Sequence, residues 1–323
     1  MPHPLAVLDE IRLNFSPAGL FIMNITLAFI MFGVALEIRI KQFREILRNP
    51  KPLILGILSQ FLFLPMVTFI LVYFIRPTPT VALGMILVAS CPGGNISNFI
   101  SLLAKGNAAL SVSLTAFATL AAIFMTPINF SFWGNLYGKA SKIIMPIEID
   151  PFTMLQTVFI LLGIPLILGI WFSNKYPKTT QRIIKPIKIL SIFIFMGFVV
   201  AALSSNLNYF FSYIHLIFLI VLVHNALALA TGYMIGRTGR LQTRDRRSIA
   251  IETGIQNSGL ALVLIFNPKL FDGMGGMAFI AAWWGIWHII AGLLIAGIWS
   301  RKRIAEEAGK EDLSPNGAKG NVK

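Results

Sequence analysis

Charge is scarce in this chain, and negative charge scarcer still. Only 12% of the 323 residues are charged, with 13 Asp and Glu against 27 Lys and Arg. There is one cysteine, Cys91, which excludes an internal disulfide and a cysteine-rich metal cluster. The first eighteen residues carry Asp9, Glu10 and Arg12 but no basic segment ahead of an apolar core, so no cleaved signal peptide is expected. What fills the chain is apolar: 56% hydrophobic residues and a mean hydropathy of +0.77. Apolar runs of about 20 residues recur along most of its length, the signature of a polytopic α-helical membrane protein. The net charge of +14 does not indicate nucleic acid, because the basic residues sit in short connections between apolar runs, where the positive-inside rule accounts for them.

The pattern predicts nine spans, at about 19–37, 52–75, 81–104, 108–130, 153–173, 187–205, 213–236, 248–267 and 277–299. One set of connections holds Arg39, Lys41, Arg44, Arg48 and Lys51, then Lys105, then Lys175, Lys178, Arg182, Lys185 and Lys188, then Arg237, Arg240, Arg244, Arg246 and Arg247. The tail opening Arg301-Lys302-Arg303 falls on the same side. The opposite set holds only Arg12, Arg76, Lys139, Lys142 and Lys269. This asymmetry predicts an outside N-terminus, with residues 1–18 an extracytoplasmic segment, and a cytoplasmic C-terminus. Residues 300–323 are polar, Gly-rich and low in aromatics, and are expected to be disordered.

The third and eighth spans are interrupted near their middles. One carries Pro92-Gly93-Gly94-Asn95-Ile96-Ser97-Asn98, the other Glu252 to Gly259. They cross in opposite directions, lie five spans apart, and are each followed by one more span. Two broken helices at matching places in oppositely oriented halves are the sign of an inverted repeat with a site near the bilayer midplane. The halves have four and five spans, so one N-terminal helix is missing relative to a symmetric ten-helix parent.

Glu252 is the one carboxylate placed well inside a lipid-length apolar run. An ionisable residue at such depth costs about 2.5–3.5 kcal/mol on insertion scales and marks an ion or substrate pathway by default. A carboxylate beside loosened carbonyls and amide oxygens suits a hard cation. Pro92 removes a backbone donor and Gly93-Gly94 ease departure from the helix. The next half-helix then starts near Asn95 and Ile96 with free N–H groups, a place for a carboxylate or similar anion. A simple proline kink satisfied by neighbouring helices is the plainer reading. Ser111, Thr115 and Thr119 share one face of the fourth span and could ligate a cation with Ser97, Asn98 and Glu252; alternatively they bond back to their own helix. Gln60 is either interhelical glue or part of the same site. His224 and His288 lack a metal-ligand partner at helical spacing and read as structural histidines. Cys91 reads as a packed small residue.

The chain resembles the bile acid:sodium symporter family from about Ala18 to Trp299. The resemblance rests on Cys91-Pro92-Gly93-Gly94-Asn95-Ile96-Ser97-Asn98, on Ala104-Lys105-Gly106-Asn107 to Ser111, and on Glu252-Thr253-Gly254-Ile255-Gln256-Asn257. It implies two crossing broken helices, a panel domain (spans about 19–37 and 153–205) and a core domain (about 52–130 and 213–299). It also implies two sodium ions as coupling ions and no cofactor. A first sodium would be held by Ser97, Asn98, Ser111, Thr115 and Glu252. A second would be held by Gln60, Glu252, Gln256 and the carbonyls of Thr253 and Ile255. Substrate would lie between core and panel, near Asn95, Ile96, Asn257 and His288. Ile289 departs from the Asn that bacterial members often carry after that histidine.

The function expected is therefore sodium-coupled import of an organic anion, either bile acid-like or a small carboxylate such as a keto acid or pantoate. An exporter of the arsenite-efflux kind would share the broad architecture but need a reactive cysteine. An intramembrane enzyme would need a second acid/base group beside Glu252. A sensor that does not transport is the remaining alternative.

Overall fold

Backbone polar groups at membrane depth find no water, so a chain this apolar must close its hydrogen bonds within its own segments. The computed structural model describes residues 5–12, 17–38, 49–141, 150–204 and 207–301, and every regular element among them is helical. In order these are α1 (Ala6–Glu10), α2 (Pro17–Ala35), α3 (Lys51–Leu58), α4 (Leu64–Ile75), α5 (Pro79–Ser90), α6 (Ile96–Leu103) and α7 (Ala108–Ser141). There follow α8 (Pro151–Val158), α9 (Ile164–Lys175), α10 (Pro177–Ser204), α11 (Leu207–Thr238), α12 (Thr243–Gly254), α13 (Ser258–Ile265) and α14 (Gly275–Arg301). The chain is a polytopic membrane protein: six helical segments among the described residues are long and apolar enough to cross a bilayer. Arg39, Lys41, Arg44, Arg48, Lys142 and the tail beyond residue 301 lie outside the described residues.

Two departures from the expected spans have a local cause. The second and fifth are not uniform α-helix: π-helical turns at Ser59–Phe63 and Phe159–Gly163 join α3 to α4 and α8 to α9. In each, a proline follows two residues beyond the turn, Pro65 and Pro165. A proline cannot donate to the carbonyl four residues back, and its ring presses on that carbonyl. A π turn widens the helix just ahead of it and accommodates both. The second departure is that the interruptions are shorter than expected. Helix resumes at Ile96 and at Ser258, and Glu252 to Gly254 remain helical, so only Cys91–Asn95 and Ile255–Asn257 leave helical geometry.

The half-helices lie at the centre. Every residue of α5 from Thr80 to Ser90 is buried, as is all of α13, which explains why both are apolar on all sides. The long helices instead turn large apolar side chains outward, Phe74 on α4 and Phe193 on α10 among them. α2 packs against α9 and α10, with Phe32 and Phe172 meeting edge to face at 6.0 Å. At the start of α8, Asp150 accepts from the amides of Phe152 and Thr153 at 3.0 and 3.1 Å and from the Thr153 hydroxyl. The Thr153 hydroxyl first, then the two amides, hold its carboxyl below the ordinary carboxylate value.

Residues 244, 246 and 247, expected in a connection, are the first turns of α12 instead. Arg247 is buried, donating to the Ala104 carbonyl at 2.8 Å and lying 5.8 Å from the Trp299 ring centre. The chain around Ala104-Lys105-Gly106-Asn107 is thereby clamped to α12. The Asn107 amide donates to the Arg244 carbonyl at 3.1 Å, its side chain donates to Asp245 at 2.8 Å, and Ser248 donates to the Asn107 carbonyl at 2.9 Å.

The N-terminal segment is also tied down. Leu5 and Leu8 of this segment are buried. Thr78 leaves the start of α5 without a side-chain cap. Asp9 supplies one from α1, accepting from the Thr80 amide at 3.2 Å and from its hydroxyl. Ile11 accepts from the Gly275 amide at the head of α14 at 2.9 Å, and Arg12 bridges Met274. One carboxylate therefore serves as cap for a buried half-helix. Asp9→Ala is expected to cost about 1–2 kcal/mol, as loss of an N-cap does, read as a lowered melting temperature in detergent, with Asp9→Asn retaining most of the stability. An unchanged melting temperature for the alanine variant would remove this role.

Candidate functional site

Pro92 has no amide hydrogen, and the stretch on either side of it cannot hold a helix. Non-helical backbone inside a membrane protein must find other partners, and here each interruption satisfies the other. Gly93 and Gln256 form an antiparallel bridge, flanked by Gly94 N–H to the Ile255 carbonyl at 2.7 Å and Asn257 N–H to the Pro92 carbonyl at 2.8 Å. The breaks are thus a two-strand contact buried among helices. Gly93 is required at this crossing by close approach: a Cβ there would stand 2.7 Å from Glu252 Oε2.

Glu252 is wholly buried beneath the crossing. Ser97 and Ser111 both donate to its Oε1 at 2.5 Å, and Thr115 lies 3.1 Å from each carboxylate oxygen. Asn98 Oδ1 lies 3.0 Å from the Ser111 hydroxyl and 3.1 Å from that of Thr115. All five residues expected around a first cation are therefore brought together, from α6, α7 and α12. Among the described residues no Lys or Arg pairs with Glu252. Its surroundings are oxygen donors only, the chemistry of a hard cation. No cluster of His, Cys, Asp and Glu able to hold a metal occurs among the described residues. Thr119 is not part of the group; it donates to the Thr115 carbonyl at 2.6 Å.

The second expected set meets at the same crossing. Gln60 is buried within the π turn, and its Oε1 accepts from Gly93 N–H at 3.2 Å. Gln256 donates to the Thr253 carbonyl at 2.7 Å. Gln60 Nε2 and Gln256 Oε1 have no partner among the described residues. A buried amide oxygen without a donor is costly unless something else binds it. The carbonyls of Thr253 and Ile255 each accept one bond and keep a second lone pair.

The expected substrate residues divide. Asn95 is exposed, and Ile96 and Asn257 are half-buried, Asn257 pairing across the crossing with Pro92. Asn257 has a second role that the pattern did not show: its Oδ1 accepts from Leu260 N–H at 3.0 Å and caps α13. His288 is buried, with Nδ1 unpartnered. It shares a helix face with Gly285 and Gly292, where an added Cβ would come within 2.8 Å of Ser258 Oγ and of Ile255 Cδ1. That face abuts the second interruption. His224 bonds Thr68 at 2.7 Å and its ring lies 4.7 Å from that of Trp284, and Cys91 is fully enclosed in the apolar core. Both are placed as structural residues.

Three contributors were not singled out from the sequence. Ser59 bonds Thr253 at 2.8 Å, Ser101 lies 3.1 Å from Ser111, and Asn225 donates to the Gly254 carbonyl at 2.7 Å. Pro65, which induces the π turn carrying Ser59, was the available signal for the first. A lone serine or asparagine in an apolar run carries no such mark.

The fold is that of a polytopic membrane protein in which two interrupted helices cross over a buried carboxylate. The sodium bile acid symporter family matches residues 24–213, and the chain belongs to that family. Its relatives include the uncharacterized sodium-dependent transporter YocS of Bacillus subtilis, 29% identical over 90% of this chain and 86% of its own length. The rice chloroplast protein named "Probable sodium/metabolite cotransporter BASS2" is 30% identical over 75% of this chain, which spans 56% of it. The human ileal sodium/bile acid cotransporter is 26% identical over 77% of this chain and 70% of its own. The family is one of transporters, not enzymes.

Proposed function

We propose that the protein is a sodium-coupled symporter that imports an organic anion by alternating access. The observation that carries this reading is the enclosure of Glu252 by Ser97, Ser111 and Thr115 directly behind the crossing of two interrupted helices. A buried carboxylate is costly without a compensating charge, and an all-oxygen shell is the surrounding in which sodium supplies one. In this reading Ser97, Asn98, Ser111, Thr115 and Glu252 hold one sodium. Gln60, Glu252, Gln256 and the Thr253 and Ile255 carbonyls hold the other. Anion docks at Asn95, Ile96 and Asn257, with His288 behind them. Nine spans form an inverted repeat, in which the α2, α8–α9 and α10 panel rocks against the remaining core. The N-terminus is outside and the C-terminus is cytoplasmic, following the basic residues.

The test is uptake by proteoliposomes loaded in potassium, with bile acids, keto acids and pantoate offered in external sodium or external potassium. At least one anion class should enter about tenfold faster or more with sodium. Equal rates in both salts for every anion that enters would overturn the symporter reading.

A further inference from the structure

We propose that the corner where α9 meets α10 binds the headgroup of an anionic phospholipid. Lys178, Arg182 and Lys185 are spaced i, i+4 and i+7 at the start of α10, so they line one face. All three are exposed, as is Lys175 at the end of α9. No Asp or Glu occurs anywhere from residue 151 to residue 244. The turn after α2, the helix packed against both, holds a single acid in Glu37, and no carboxylate among the described residues pairs with Lys178, Arg182 or Lys185. Among the described residues, the stripe is therefore positive charge without a paired counterion.

Aromatic rings set its level in the bilayer. Lys175 Nζ lies 4.9 Å from the centre of the Trp171 ring and 5.6 Å from that of Tyr176. The two rings meet edge to face at 6.2 Å. Trp and Tyr collect at the membrane–water interface, so this pair marks where headgroups begin. From Lys178 to Lys185 the helix rises about 10 Å, enough to cross a headgroup layer. Immediately toward the apolar side, Leu168 on α9 and Phe193 on α10 are exposed and offer contact to acyl chains. One phospholipid molecule is thus complemented at both ends: a phosphate by the basic stripe and its chains by the hairpin's outer surface.

The full-length protein in detergent would be titrated with short-chain phosphatidylglycerol and phosphatidylcholine, and bound lipid counted by native mass spectrometry. Phosphatidylglycerol should be retained at least about tenfold more tightly, and its advantage should shrink as salt rises. The K178Q/R182Q/K185Q variant should lose on the order of a hundredfold in affinity for phosphatidylglycerol, about fivefold per charge. K178R/R182K/K185R should keep it. Were the triple glutamine variant to misfold, R182Q alone should still show about the fivefold loss. Equal binding of the two lipids, or an undiminished preference in the glutamine variants, would overturn the proposal. So would displacement of phosphatidylglycerol by an equal concentration of inorganic phosphate, which would make the corner a free-anion site.

Discussion

Glu252→Gln should leave the protein folded and abolish its sodium-dependent transport. The amide oxygen can still accept from Ser97 and Ser111, so the hydroxyls that donate to Glu252 at 2.5 Å keep a partner. What disappears is the formal charge. A cation entering this buried shell gives up hydration, and neutral oxygens alone do not offset that loss for two ions sharing one pocket. Hydrogen bonds to a charged partner contribute about 1.5–3 kcal/mol each against about 1 for neutral ones. Losing even one such difference in the sodium-loaded state means roughly tenfold, and the direct charge term comes on top. A fall in sodium affinity of about a hundredfold or more is expected. The measurement is the rise in melting temperature of the purified protein on adding sodium, which mass action ties to binding. It should vanish in the variant while the melting temperature in sodium-free buffer is kept. A variant that retained the full sodium-dependent rise would show that the ion binds elsewhere.

Import of a monovalent anion should carry one net positive charge inward per cycle. On the proposed reading Glu252 stays with the protein and the transported load is two sodium ions and one anion. Near the crossing, two cations against one fixed carboxylate leave a charge of about plus one, and an anion beside Asn95 and Ile96 neutralises it. That gives a physical reason for sodium and anion to bind cooperatively. The membrane potential then contributes about 2.3 kcal/mol per 100 mV, roughly fiftyfold in the accumulation ratio. An inside-negative potassium–valinomycin potential should accelerate uptake of a monovalent anion, whereas a dianion at the same stoichiometry should be indifferent. Potential-independent uptake of a monovalent anion would mean that a single sodium is coupled, and that either the Gln60–Gln256 set or the Ser97–Thr115 set is idle.

The helical class, the interrupted third and eighth spans and the central carboxylate were all legible from residue type and spacing. Apolar length and the position of Pro92, Gly93 and Gly94 are local properties. Helix-face spacing offered the grouping of Ser97, Ser111 and Thr115 with Glu252 only as one of two readings, and the resemblance to a family favoured it. Helical spacing puts Ser111, Thr115 and Thr119 on one face, yet only the first two reach the carboxylate, since Thr119 turns back to its own helix. The cap from Asp9 to Thr80 spans 71 positions and has no signature at either end. Ser101 and Asn225 likewise look no different from any polar residue that glues helices together.

By itself, then, the sequence determined that this chain must live in a membrane, because too little of it is polar for water to solvate. It also marked the neighbourhoods in which two helices break, Pro92-Gly93-Gly94 and the polar run after Glu252, whereas Pro127 and Pro186 stand inside continuous helices. Only the tertiary structure decided how those breaks are satisfied: Gly93 against Gln256, Gly94 against Ile255, Asn257 against Pro92. The same folding step turned an isolated glutamate into a closed shell of hydroxyls. Hydrogen bonds between residues about 140 to 155 positions apart depend on the packing of whole helices. No local pattern encodes that packing, because a buried donor and its acceptor are chosen by shape in three dimensions and not by spacing along the chain.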